Sequence, residues 1–179
     1  MSNPRKVYMA RAGSNGEDEE YVIENNLAMI GYSEVPSLEG AKDYDGVFKI
    51  VETAMPGEKP RAIGNYAGQL WAFSVAMQEG DIVVLPRKLT SQIALGIVGG
   101  PYKYQKIRDE MRHTRPVKWV RPDVARTTFE QDLLYSFGAF LTVCNITRND
   151  AERRVAAVLD GKPDPGFGAA VESKSKEVS

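Results

Sequence analysis

The chain has one cysteine, Cys144, and one histidine, His113, among its 179 residues. That scarcity excludes a Cys/His zinc site and an internal disulfide. It also removes HExxH chemistry and leaves little scope for a Ser-His-Asp triad. No stretch approaches the roughly 20 consecutive apolar residues of a membrane span. The opening Met1-Ser2-Asn3-Pro4-Arg5-Lys6 leads straight into Val7-Tyr8-Met9-Ala10, without an apolar signal segment. A soluble, cytoplasmic protein with no membrane partner, no metal and no cofactor is the expectation. A phosphate loop is missing as well: Gly96-Ile97-Val98-Gly99-Gly100-Pro101 lacks a Gly-Lys-Ser/Thr ending and reads as a strand and its turn.

What is present is the composition of one globular domain, with 42% apolar and 26% charged residues. The net charge of -1 conceals an asymmetry. Residues 11–60 carry eleven acidic side chains against four basic ones, whereas residues 86–126 carry ten basic against three acidic. A basic face for a polyanion is one reading of that reversal, and mutual neutralisation in the folded state is the other.

Lys6 to Ala10 reads as a strand, followed by the glycine-containing turn 11–16 and a helix with an acidic first turn at Glu17 to Glu20. Leu27 to Ile30 is a short buried strand, and Val47, Ile50, Val51 and Ala54 mark a helix over 44–54 that Pro56-Gly57 stops. A second helix is expected over 63–77, then strands at 82–85, 93–98 and 114–120. Trp119 and Cys144 read as core residues. A short helix near 130–136, an apolar segment over 141–146 and a final helix to Leu159, started by a capping box at Asn149-Asp150-Ala151-Glu152, complete the pass. The folded unit is expected over 1–160, with 161–179 a flexible linker or disordered tail. This order predicts an α/β (α+β) fold in which a mixed sheet curls towards a small β-barrel with helices packed outside.

Candidate chemistry is thin. Asp123 with Glu172 and Lys174 matches a PD-(D/E)xK nuclease in letters only, since Glu172 falls in the expected tail. His113, among Arg112, Thr114 and Arg115, reads as a surface residue at the start of a strand or a phosphate contact. The aromatic run Ser136 to Phe140 reads as a packed corner. No catalytic residue is assigned, and the chain by itself is not expected to be an enzyme.

Arg61 to Trp71, followed by Glu79-Gly80-Asp81 and Ile82 to Pro86, resembles the helix-Gly-Asp-strand core of EVE domains in the PUA superfamily, which includes the YTH readers. With Val7 to Gly13, Ile30-Gly31-Tyr32 and Gln131 to Phe140, residues 6 to 160 are similar to the N-terminal specificity region of Mrr-like, modification-dependent restriction endonucleases. The resemblance implies a PUA/EVE/YTH-like fold that binds DNA at a modified and flipped base in phage defence, with RNA the weaker alternative. It implies that cleavage comes from a nuclease domain in cis or trans, of which this sequence holds none. By the same resemblance the base pocket would be built from Ala12, Gly13 and Ser14, from Tyr32, from Asn65, Gln69 and Trp71, and from Pro86. Tyr32 and Trp71 would stack, and Gln69 or Asn65 would read an edge. Arg11, Arg87, Lys88, Arg112 and Arg115 would meet phosphate. Each has a structural alternative: Trp71 in the core, Asn65 and Gln69 bonded to protein, Arg11 paired with Glu17 or Glu19. Two rivals to the reader are a stand-alone nuclease and a protein-interaction module.

Overall fold

The computed structural model of the protein describes residues 5–108 and 110–166. The continuous apolar runs of the sequence become strands buried on both faces. Strand β1 (Val7–Ala10) and strand β3 (Ile82–Pro86) are buried at every position, and β4 (Gln92–Val98) is buried throughout except at the half-buried Gln92 and Ile97. The pleat sorts their side chains between two cores. Tyr8, Ala10, Val83, Leu85 and Ala94 enter one. Val7, Met9, Ile82, Val84, Ile93 and Leu95 enter the other.

The sheet has the order β2-β6-β4-β3-β1-β7, with β2 (Leu27–Ile30), β6 (Met111–Ala125) and β7 (Val143–Asn145), and β5 (Lys103–Arg108) also pairs with β6. β1 runs parallel to β3, and the other pairings are antiparallel. The long β6 changes partners along its length. His113 faces both Ile30 of β2 and Tyr104 of β5, while Val117 to Ala125 pairs with β4 across two register irregularities near Leu95. Such irregularities bend and twist a strand, and the sheet is a strongly curved half-barrel with helices packed around it, the mixed α+β architecture expected of a PUA/EVE-like fold. Gly96 permits the closest approach in this curve: a Cβ there would lie 2.6 Å from Val117 Cγ1 and 2.8 Å from Trp119 Cε3.

Helices α1 (Glu19–Glu24), α2 (Tyr44–Ala54) and α3 (Pro60–Trp71) cover the first core, and α4 (Gln131–Phe137) and α5 (Ala151–Leu159) cover the second. Asp43 caps α2 by accepting the Gly46 N–H at 2.8 Å, and Pro60 begins α3, where its missing N–H costs nothing. The expected helix over 63–77 is therefore longer at its start, and it ends as a π-helical turn over Ala72–Ala76. The expected capping box does not form: Asp150 stands at the N-cap of α5 in a left-handed conformation with no side-chain cap, and its carboxylate pairs with Arg153 instead. Nor does the ordered part stop at 160. The Asp164 side chain is 1% exposed and bonds to Arg154, so residues 161–166 pack against α5, while 167–179, including Glu172 and Lys174, lie outside the described residues. Among the described residues no helix is long and apolar enough to cross a membrane.

Candidate functional site

A cleft of 960 Å³ opens where the β1–α1 loop, the end of β2, the β5–β6 turn and the α4–β7 loop meet. That volume is in the range of small-molecule and cofactor sites. The sequence candidates Arg11, Gly13, Ser14, Tyr32 and Lys88 all line it, and so does Gly31.

Tyr32 is the aromatic wall. It leaves β2 with φ 63°, an uncommon left-handed setting for a tyrosine that the surroundings must hold. They do so through a buried relay. Leu38 N–H donates to the Tyr102 hydroxyl at 3.2 Å, and that hydroxyl lies 2.6 Å from His113 Nδ1. His113 Nε2 faces two carbonyls, Tyr32 O at 3.3 Å and Val35 O at 3.1 Å, so it carries the proton and Nδ1 accepts. Burial pushes the imidazole pKa below its usual value and keeps it neutral, against the opposing pull of those carbonyls. His113 is thus a fully buried support of Tyr32, and neither the surface residue nor the phosphate contact that its basic neighbours suggest. The Tyr32 ring rests 5.7 Å from that of Tyr66. Burial raises its phenol pKa to about 12, opposed by a hydrogen bond with the Thr142 side chain, so it stays neutral at physiological pH.

The β1–α1 loop forms a second, acidic wall. Gly13, at φ +85°, lets the chain fold back over Glu17, whose carboxylate would collide with any Cβ at that position. Asn15 N–H donates to Glu17 at 2.8 Å. Next to it Asp18 is 5% exposed, and burial pushes its carboxyl pKa up, opposed by Arg108 at 3.2 Å and reinforced by Glu17. Arg108 also lies over the Tyr21 ring, 4.5 Å from its centroid. Buried Glu19 ties the loop to the β3–β4 turn by accepting the Lys88 backbone N–H at 2.8 Å, and Lys88 Nζ donates to the Ser14 carbonyl.

The third wall is the α4–β7 loop, held by Arg11. Its guanidinium donates to the carbonyls of Phe137 and Ala139 at 3.0 Å each and of Leu141 at 3.2 Å. Glu19 pairs instead with Arg87, among the described residues Arg11 forms no ion pair with Glu17 or Glu19, and burial lowers its pKa. Arg11 therefore commits its Nε and one terminal nitrogen to the loop, and it keeps positive charge at the wall of the cleft.

Several candidates stand elsewhere. Trp71 is half-buried, packs on the first core and meets Tyr44 of α2 edge-on at 6.5 Å; it does not line the cleft. The phase of α3 explains this, because Ile63, Ala67 and Leu70 take the inward face and leave Trp71 on the flank towards α2. Gln69 is buried and accepts the backbone N–H groups of Thr142 and Val143 at 2.9 and 3.2 Å, so it docks α3 on the start of β7 and sets the Thr142 wall from behind. Asn65 is exposed and accepts from Gln69 Nε2 at 3.1 Å. Ala12 and Pro86 are buried.

Among the expected phosphate contacts, Arg115 is corrected outright. It is 4% exposed and donates to Phe73 O, Met77 O and Gly100 O at 3.2, 2.6 and 2.9 Å, bracing the π-helical turn from inside the core. Arg87 is nearly buried, 3.5 Å from Glu19, and Arg112 sits half-buried on β6 away from the cleft lining. Asp123 is exposed on β6, also outside the cleft. Among the described residues no cluster of His, Cys, Asp and Glu could hold a metal ion.

Sequence reasoning missed Asp18, Arg108, Thr142 and Phe140. Asp18 reads as an ordinary helix-start acid, and Arg108 and Thr142 carry no local signal. Phe140, taken as part of a packed corner, is in fact fully exposed on the cleft rim. No curated protein matches the chain. Residues 6–134, well over half of the sequence, match the family described as a domain of unknown function, DUF8426, and the protein belongs to that family.

Proposed function

We propose that the protein is an EVE-like reader domain that takes a flipped, modified DNA base into the Tyr32 cleft, for a modification-dependent restriction system whose nuclease acts in cis or in trans. The observation that carries this reading is the meeting of a neutral aromatic wall, a buried carboxylate and three cations in one hollow: Tyr32, Asp18, and Arg11, Lys88 and Arg108. A flipped base needs an aromatic or apolar surface to lie on and polar groups at its edge. Tyr32 supplies the first. Asp18 accepts from an exocyclic amino group of cytosine or adenine, the pairing that carboxylates make with base edges. Lys88 and Arg108 lie at the cleft margin, where flanking phosphates would pass. The chain acts as a binder in this reading, with cleavage left to its nuclease partner.

Fluorescence anisotropy tests it with four duplexes of one sequence that differ only in the modification of one cytosine, which is unmodified, 5-methyl, 5-hydroxymethyl or N4-methyl, with RNA of the same sequence as a fifth probe. One modified duplex is expected to bind at least about tenfold tighter than its unmodified counterpart, a discrimination of about 1.4 kcal/mol. Tyr32→Ala should erase that preference and Trp71→Phe should keep it. Equal, weak binding to all four duplexes would sink the proposal, and tighter binding to the RNA would replace DNA with RNA as ligand.

A further inference from the structure

Phe140 has no packing role: its side chain is fully exposed. It is nevertheless held firmly. The three carbonyls that Arg11 engages belong to Phe137, Ala139 and Leu141, so the clamp grips the residues on both sides of Phe140 and leaves its ring projecting. Gly138, Ala139 and Phe140 line the 960 Å³ cleft on one side and a second hollow of 580 Å³ on the other. The loop is therefore a ridge between two depressions, with Phe140 on it and an equally unpacked Tyr135 close behind on α4.

From this geometry we infer that Phe140 is the wedge of the reader: it enters the base stack of duplex DNA and occupies the space vacated by the base that swings into the Tyr32 cleft. The inference rests on the base-reading assignment of that cleft and adds to it the group that opens the duplex. An apolar side chain inserted at a base step offsets the lost stacking, and a base extruded from a duplex leaves such a gap beside the pocket that receives it. A wedge must be apolar, exposed, rigidly mounted and adjacent to the receiving cleft, and Phe140 meets all four conditions. A protein partner on the same ring would need none of the proximity to the cleft.

The test uses the tightest-binding duplex of the panel above, with 2-aminopurine placed next to the target base, alongside the same target strand alone. The wild-type protein is expected to raise the 2-aminopurine fluorescence of the duplex as the stack opens. Phe140→Ala should remove that rise and weaken duplex binding by about tenfold or more, yet bind the single strand as the wild type does, since no stack has to be opened there. Phe140→Trp should restore the signal. Because the ring packs against nothing, the fold is unaffected by either change. Equal losses on duplex and single strand, or no loss on either, would overturn the wedge, the second pattern leaving Phe140 to a protein partner. A wild type that binds the panel without a fluorescence rise refutes the wedge alone, whereas one that binds no nucleic acid refutes the reading of the cleft itself.

Discussion

Arg154 shows what a single buried charge demands. It lies on α5 with no exposed surface, and its five N–H groups are all used: Nε on Asp164 at 2.8 Å, the two terminal nitrogens on Asp132 at 2.7 and 2.9 Å, and again on Asp164 and the Asn149 carbonyl at 2.8 and 2.9 Å. Arg154→Ala leaves Asp164 buried without its cation and should cost about 3–5 kcal/mol in urea denaturation. A lysine at 154 should recover only part, since it cannot make two forked contacts. Hydrogen bonds from Arg154 hold the Asp132 carboxyl below its ordinary 3.8. At Asp164 burial pushes upward, but the bonds from Arg154, Gly166 and Glu130 outweigh it and the net shift is again downward. With folded pKa values depressed, this stabilisation is complete above about pH 4 and is lost as pH falls through the folded values. Thermal melts of the wild type should therefore drop steeply below that pH, and Arg154→Ala should flatten the drop.

Among the elements, the α4–β7 loop is the one whose shape depends on a distant residue. Arg11 sits at the end of β1, about 130 positions away in sequence, and supplies the donors that the carbonyls of this loop lack. Arg11→Ala should raise amide exchange over residues 138–143 while the centre of the sheet keeps its protection, at a cost of about 1–3 kcal/mol. Uniform exchange throughout the chain would contradict a local clamp. Other elements were readable from local signals. The span of α2 follows from Asp43 at its start and Pro56 beyond its end, and the strands at 27–30 and 82–86 follow from apolar runs. Strand β5 was not readable, because Lys103–Arg108 is a polar edge segment of mostly exposed residues whose only cue is its pairing with β6.

For the whole molecule, the basic stretch over residues 86–126 does not form one face. Arg115 faces the core, Arg87 meets Glu19, Arg121 donates to the Val158 carbonyl, and Arg108 pairs with Asp18. The cleft itself mixes Arg11, Lys88 and Arg108 with Glu17, Asp18, Glu34 and Glu110. On the reading proposed for this cleft, its mixed charge suits contact with one base better than attraction to many phosphates. With about three cations at the site, log K against log salt should have a slope no steeper than about -3. Titrations at several salt concentrations measure it, and a slope near -8 would point to a phosphate-tracking surface elsewhere.

The mixed α+β fold and its buried strands were legible in the amino-acid pattern, because apolar periodicity and turn residues act locally. Tyr32, Arg11, Gly13, Ser14 and Lys88, the residues named from the resemblance, line one cleft. Long-range packing set the company they keep. It moved Trp71 to the α2 flank, turned Gln69 and His113 into supports, buried Arg115, and brought Asp18, Thr142 and Phe140 to the cleft. The physical reason is that these roles depend on which partner a side chain meets across the curved sheet. Such contacts join β2 to β6 across about half of the chain and β1 to β7 across about three-quarters of it, beyond the reach of any local pattern.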